Sequence, residues 1–155
     1  MIDFINKDII NETNGLILQG VNCKGVMGSG LAKAIRNKWP IVYTEYSKLT
    51  FNMSLLGTVQ YVPISDKLVV ANCFTQNSYG SDGKRYADLT SIRSCIENAF
   101  KYANYNDLVI KTPKIGCGLG GLSWDKEVQP IFEEIGQSYD DVTIQYIELV
   151  WILTI

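Results

Sequence analysis

Two stretches of this 155-residue chain place glycine where an apolar run hands over to a helix-forming segment. "VNCKGVMGSGLAKAI", residues 21–35, passes through Gly25, Gly28 and Gly30. "PKIGCGLGGLSW", residues 113–124, carries four glycines in the six positions 116–121. Glycine lets backbone approach a ligand closely, and a helix N-terminus supplies unpaired N–H groups at the positive end of a dipole. The chemistry this suits is anion binding, with phosphate as the natural guest. Either loop alone also reads as a mere connection. Together they suit a diphosphate clasped between two loops, with backbone N–H groups in place of Lys and Arg.

Neither stretch is a familiar nucleotide loop. No Gly-Lys-Ser/Thr follows the first, so it is not a Walker loop. Gly116, Gly118 and Gly121 do match G-x-G-x-x-G, ahead of a helix whose start Ser123 can cap. That fingerprint belongs on the first strand of a βαβαβ half, whereas this match falls near the end of the chain, and the dinucleotide reading is rejected. The chain contains no histidine. Ser-His-Asp and Cys-His nucleophile systems, histidine bases and the common zinc hydrolase ligand sets are thereby excluded. Cys23, Cys73, Cys95 and Cys117 are dispersed without a C-x-x-C pair, which argues against a zinc site and a disulfide framework. They read as reduced thiols of a cytoplasmic protein, and nothing calls for a metal or cofactor.

The elements that must position these loops are legible from pattern. Apolar or alternating runs read as strands: "IDFI" near the start, then 15–21, 57–64, 67–74, 107–113, and "VTIQYIELVWILTI" at the end. Helical spacing appears from Ser29, Ile41, Asp88 and Trp124, with Pro130 either kinking the last helix or marking a late start. Interleaved strands and helices predict an α/β fold, a three-layer α/β/α sandwich. The runs 57–64 and 67–74, separated by "SDK", predict one antiparallel hairpin and so a mixed central sheet. With 46% apolar and 19% charged residues, no repeat and no linker, residues 1–155 read as one domain. Fourteen basic against sixteen acidic residues, without a basic block, exclude a general grip on nucleic acid. No signal peptide or membrane-spanning run is found.

At "NKDI" (6–9), "VNCKGVMGSGLA" (21–32) and "KIGCGLGGLSW" (114–124) the chain resembles the macrodomain family, with "DGKRYADL" (82–89) similar to a subgroup feature. The resemblance implies ADP-ribose bound atop a three-layer sandwich. It is nearest the branch of ADP-ribose 1''-phosphate processing proteins, terminal ADP-ribose glycohydrolases and antitoxins that strip ADP-ribose from DNA. It further implies that Asp8 accepts from the adenine amino group with Ile9 nearby, and that Asn22 contacts the distal ribose and is the catalytic residue. Gly28, Ser29, Gly30 and Leu31 would hold one phosphate region, and Gly116, Cys117, Gly118, Leu119 and Gly120 the other. Side-chain chemistry is compatible: a carboxylate reads an exocyclic amine, and an amide both donates to and accepts from hydroxyls. Plain structural roles stand beside these, Asp8 as a cap, Asn22 in an Asx turn, Trp124 in the core. Tyr146 is a faint candidate to flank the adenine.

The chain also departs from its hydrolase relatives. Gln76 stands where the resemblance places a catalytic lysine, and Gly120 where some relatives carry an aspartate. Gln is no amine nucleophile. Lys84 and Asp125 are the substitutes within reach in sequence. The leading expectation is a monomeric ADP-ribose-binding hydrolase that releases phosphate from ADP-ribose 1''-phosphate. The alternatives are a glycohydrolase acting on ADP-ribosylated protein or DNA, and a non-catalytic reader of such nucleotides.

Overall fold

Alternation within the apolar runs decides which residue faces which layer. The computed structural model describes residues 3–149. Its strands are β1 (Ile5–Asn6), β2 (Gly15–Asn22), β3 (Val59–Pro63), β4 (Leu68–Gln76), β5 (Ile110–Thr112) and β6 (Ile144–Glu148). The helices are α1 (Gly30–Lys38), α2 (Pro40–Ser47), α3 (Leu89–Asn106) and α4 (Gln129–Gly136). The strands form one sheet in the order β1-β6-β5-β2-β4-β3. Only the β3–β4 pair is antiparallel, so the sheet is mixed as the short "SDK" connection predicts.

In β2, Leu16 and Leu18 point to one face and join Ile92, Ile96 and Phe100 of α3 and Phe132 of α4. Ile17 and Val21 point to the other and join Ile35 of α1 and Val42 and Tyr46 of α2. Both faces of the sheet are therefore covered, which is why β2 and β4 are nearly continuous apolar runs. Full burial of each such side chain stabilises the fold by on the order of 1.5–3 kcal/mol. The sandwich is three-layered.

Three boundaries differ from the sequence reading. The first strand is only Ile5–Asn6, an edge pair parallel to β6. Residues 124–128 form a π turn that runs directly into α4, and Pro130 falls in the first turn of α4. Of the two readings of Pro130, the late start is the one realised. Ser123 caps the π turn, its Oγ accepting from Lys126 N at 3.4 Å while Glu127 accepts from Ser123 N at 3.0 Å. The last strand is described as far as Glu148; its expected continuation to 155 lies outside the described residues.

Because β5, β2 and β4 run parallel and lie side by side, their C-terminal ends open on the same edge of the sheet. Both glycine stretches leave from there, one after β2 and the other after β5. In an open α/β sheet that edge is where ligands bind. Among the described residues no helix is long and apolar enough to cross a membrane.

Candidate functional site

Between the two glycine stretches lies a cavity of about 590 Å³. Asn22, Gly28, Ser29, Gly30 and Leu31 line one side. Gly116, Gly118, Leu119 and Gly120 line the other. Ser29 is the N-cap of α1 but its side chain makes no capping bond, and the first N–H groups of the helix have no intrahelical acceptor. Among the described residues, none accepts a hydrogen bond from Gly118 N or Leu119 N either. Two sets of backbone donors thus line a common space, and among the described lining residues only Lys114 carries a charge, itself a donor. Both glycine stretches singled out from the sequence line this one cavity.

The bends that aim these donors depend on glycine at specific places. Gly116 has φ +78°, and a Cβ there would lie 2.5 Å from Ile92 Cδ1. Gly120 is held differently: its carbonyl accepts from Tyr86 N at 2.9 Å and Ala87 N at 3.0 Å. A Cβ at 120 would sit 2.6 Å from Gly116 O and 2.9 Å from the Ala87 methyl. The segment 82–88 is therefore a strap laid over the back of the second loop, tied further by the Arg85–Glu127 ion pair and by Asp88 N donating to Thr75 O at 2.8 Å. Position 120, where the sequence resemblance implies an acid in some relatives, is packed backbone here.

Asn22 is 7% exposed and serves its own loop. Its Oδ1 accepts from Lys24 N at 3.0 Å, Val26 N at 3.3 Å and Tyr46 OH at 3.1 Å, while Nδ2 donates to Val26 O at 2.7 Å. The Asx-turn role is real, and it leaves one Nδ2 hydrogen uncommitted. Tyr46 also donates to Asn22 O at 2.6 Å, and its burial pushes the phenol well above its ordinary pKa, so it remains a donor. Directly opposite Asn22 in the β2–β4 register stands Gln76, after an irregularity between Val21 and Asn22. Gln76 Nε2 donates to Ser78 O at 2.8 Å. Lys84 is exposed and 3.7 Å from Asp82, and neither it nor Asp125 lines the cavity.

A second cavity of about 530 Å³ continues the first, sharing Gly30, Leu31, Pro113, Lys114 and Gly118 with it. Asp8 and Ile9 line its far end, and Cys117 its wall. Asp8 caps the 3-10 turn Ile9–Asn11, accepting from Ile10 N at 3.2 Å with one carboxylate oxygen and leaving the other open. That turn is anchored by the residue that follows it, Glu12. Glu12 Oε1 meets Lys111 Nζ at 2.9 Å and Lys7 Nζ at 3.0 Å. Burial pushes the Glu12 carboxyl up, but the two ammonium groups outweigh it and hold its pKa below the ordinary value. Lys111, buried on β5, also donates to Asn14 Oδ1 at 3.1 Å. An ion triad, largely buried at Glu12 and Lys111 and open to solvent at Lys7, thus fixes the segment that carries Asp8.

Burial raises the Cys117 thiol to about 11, so this lining cysteine stays protonated at neutral pH and is no nucleophile. Tyr146 lies in an aromatic group with Phe4, Trp124 and Phe132 and does not line either cavity. Trp124 is a core residue. Sequence reasoning missed Lys114 and Thr75. Lys114 is a lining residue of both cavities. Thr75 Oγ1 is buried beside Gly20 without a partner among the described residues, at the floor of the first cavity. The proline-lysine step after β5 was the available signal for the first; nothing in the pattern marked the second.

A mixed sheet with helices on both faces and a long cleft at its parallel strand ends defines an α/β/α sandwich. The profile of the Macro domain family matches residues 19–131, and the chain belongs to that family. An ADP-ribose 1''-phosphate phosphatase from Candida albicans is 24% identical over 138 residues, which take in 81% of this chain and 88% of that protein. A DNA ADP-ribosyl glycohydrolase from Mycobacterium tuberculosis is 24% identical over 151 residues, covering 94% of this chain and 42% of that protein. This chain therefore spans less than half of the latter's length. The solved structure of Thermosipho africanus DarTG in complex with ADP-ribose has a TM-score of 0.72 at 20% identity, over 95% of this chain and 41% of that one. At that identity the likeness concerns the fold.

Proposed function

We propose that the chain binds ADP-ribose along the two joined cavities and removes phosphate from ADP-ribose 1''-phosphate. The observation that carries this reading is the pair of facing loops with unpartnered N–H groups, placed between Asp8 at one end and Asn22 at the other. Adenine lies at Asp8, its amino group donating to the open carboxylate oxygen, over Ile9. The diphosphate spans Gly28–Leu31 and Gly116–Gly120. The distal ribose takes the remaining Nδ2 hydrogen of Asn22. The 24% identity with a phosphatase of that substrate, over most of both chains, supports the choice.

Hydrolysis at this site needs little side-chain apparatus. Water attacks the terminal phosphorus, the bond from phosphorus to the anomeric oxygen breaks, and the water's proton passes through a phosphate oxygen to the leaving hydroxyl. Backbone N–H groups and Asn22 supply positioning and charge stabilisation. Gln76 opposite Asn22, and Lys84 and Asp125 outside the cavity, weigh against lysine-plus-aspartate glycohydrolysis.

The test is parallel incubation of the protein with ADP-ribose 1''-phosphate, ADP-ribosylated protein and ADP-ribosylated DNA, with products read by mass spectrometry. The expected product is inorganic phosphate with free ADP-ribose from the first substrate, diminished in Asp8→Ala. Free ADP-ribose from either conjugate selects the glycohydrolase reading instead. Tight calorimetric binding of ADP-ribose with no turnover of any substrate leaves a reader.

A further inference from the structure

The ion pair at the junction of the two cavities points to selectivity at the ribose next to the adenine. Lys114 Nζ lies 3.3 Å from Glu148 Oε2, and both side chains are about two-fifths exposed, 39% and 40%. Glu148 ends β6 and lines only the second cavity; Lys114 lines both. In the parallel β1–β6 register Glu148 stands opposite Asn6, two residues before Asp8. The Glu148 carboxylate thus lines the same cavity as Asp8 and is paired with Lys114, the lysine that this cavity shares with the glycine clasp.

We infer that Glu148 recognises the adenosine ribose by its hydroxyl groups and excludes nucleotides that carry a 2'-phosphate. The inference rests on the ADP-ribose reading above. A carboxylate offers only acceptors, and a ribose diol offers donors, so the two are complementary; in dinucleotide folds an acid in this relation to the ribose selects the unphosphorylated sugar on the same grounds. When the diol engages Glu148, Lys114 is released toward the diphosphate at the junction that both cavities share. A 2'-phosphate would instead bring a dianion against Glu148, with Asp8 nearby. Like charges juxtaposed in a partly closed site oppose binding strongly. Lys114 cannot serve the diphosphate and neutralise a 2'-phosphate at once.

The experiment is calorimetry on the wild-type protein and Glu148→Gln with three probes: ADP-ribose, 2'-phospho-ADP-ribose and 2'-deoxy-ADP-ribose. Wild type should prefer ADP-ribose over the 2'-phosphorylated compound by about tenfold or more, and over the deoxy compound by a smaller factor. Glu148→Gln, checked by thermal melting, should weaken ADP-ribose binding severalfold while improving the 2'-phosphorylated ligand, so that the ratio collapses towards one. Equal wild-type affinity for the two ligands, or a ratio unchanged in Glu148→Gln, overturns the role of Glu148 while leaving ADP-ribose binding intact. No binding of any of the three overturns the ADP-ribose reading itself, and this inference with it.

Discussion

Asn22→Ala is the obvious probe of the site, yet the structure makes it a structural lesion first. The substitution deletes four hydrogen bonds, three accepted by Oδ1 from Lys24 N, Val26 N and Tyr46 OH and one donated by Nδ2 to Val26 O. The Lys24 and Val26 groups lie near the surface and can recover water, and Tyr46 OH keeps its bond to Asn22 O at 2.6 Å. Counting about 0.5–1.5 kcal/mol per bond and allowing for that recovery, the loss should be about 2–4 kcal/mol. In a domain of this size that lowers Tm by roughly 4–15 °C. Tyr46→Phe removes one partner and should cost less, about 1 kcal/mol. The double variant should then be less destabilised than the sum, with a coupling of about 0.5 kcal/mol or more, because both changes break the same Tyr46–Asn22 bond. Urea denaturation of the four proteins measures this cycle. An Asn22→Ala protein as stable as wild type, or strict additivity in the cycle, would refute the staple role and leave Asn22 purely a ligand group.

Gly120→Ala should destabilise by about 1–3 kcal/mol, since its methyl is forced to within 2.6 Å of Gly116 O, whereas Gly118→Ala, open to solvent, should shift stability by less than about 1 kcal/mol; chemical denaturation compares them, and equal costs would mean the strap does not hold the loop. Lys111→Met should cost about 3 kcal/mol at pH 7, moderated because Lys7 still holds Glu12. The Glu12 pKa is depressed in the folded state, so its contribution is fully present above the ordinary value of 4.5 and is lost as pH falls through the lower folded value. The gap between wild type and Lys111→Met should therefore narrow below about pH 4 in a series of melts; a gap constant with pH would show that the Glu12 charge is not involved.

What could be read from sequence was what depends on periodicity and on glycine. The layers followed from the interleaving of strand-like and helix-like segments, and the structure shows Leu16 and Leu18 facing one helical layer and Ile17 the other. The hairpin followed from the short connection at 65–67, and both glycine loops from their place after β-branched runs. The sequence could not reveal which far-apart groups meet. The triad of Lys7, Glu12 and Lys111 joins residues about a hundred positions apart, and its members looked like ordinary surface charges. Thr75 shows no pattern signal, because a hydroxyl at a strand end is unremarkable until it is found buried without a partner beside Gly20, beneath the cleft. The Asx turn stood as the plain alternative for Asn22, and only the bonds to Val26 and Tyr46 show how that side chain holds its own loop.

The strap over 82–88 sharpens the question of catalysis. Restoring a lysine at position 76 would place an amine opposite Asn22. Restoring the acid at 120 is a different matter, because a side chain there meets Gly116 O and Ala87 rather than the cavity. The two departures from the lysine-plus-aspartate pattern are therefore unequal. One is a side-chain exchange on a preserved strand end; the other is built into the backbone by two hydrogen bonds from Tyr86 and Ala87 to the Gly120 carbonyl. On the proposed reading, a loop committed to packing still aligns a ligand's phosphates along N–H groups from which no described residue accepts, and chemistry that asks only for alignment and an attacking water is what such a loop supports.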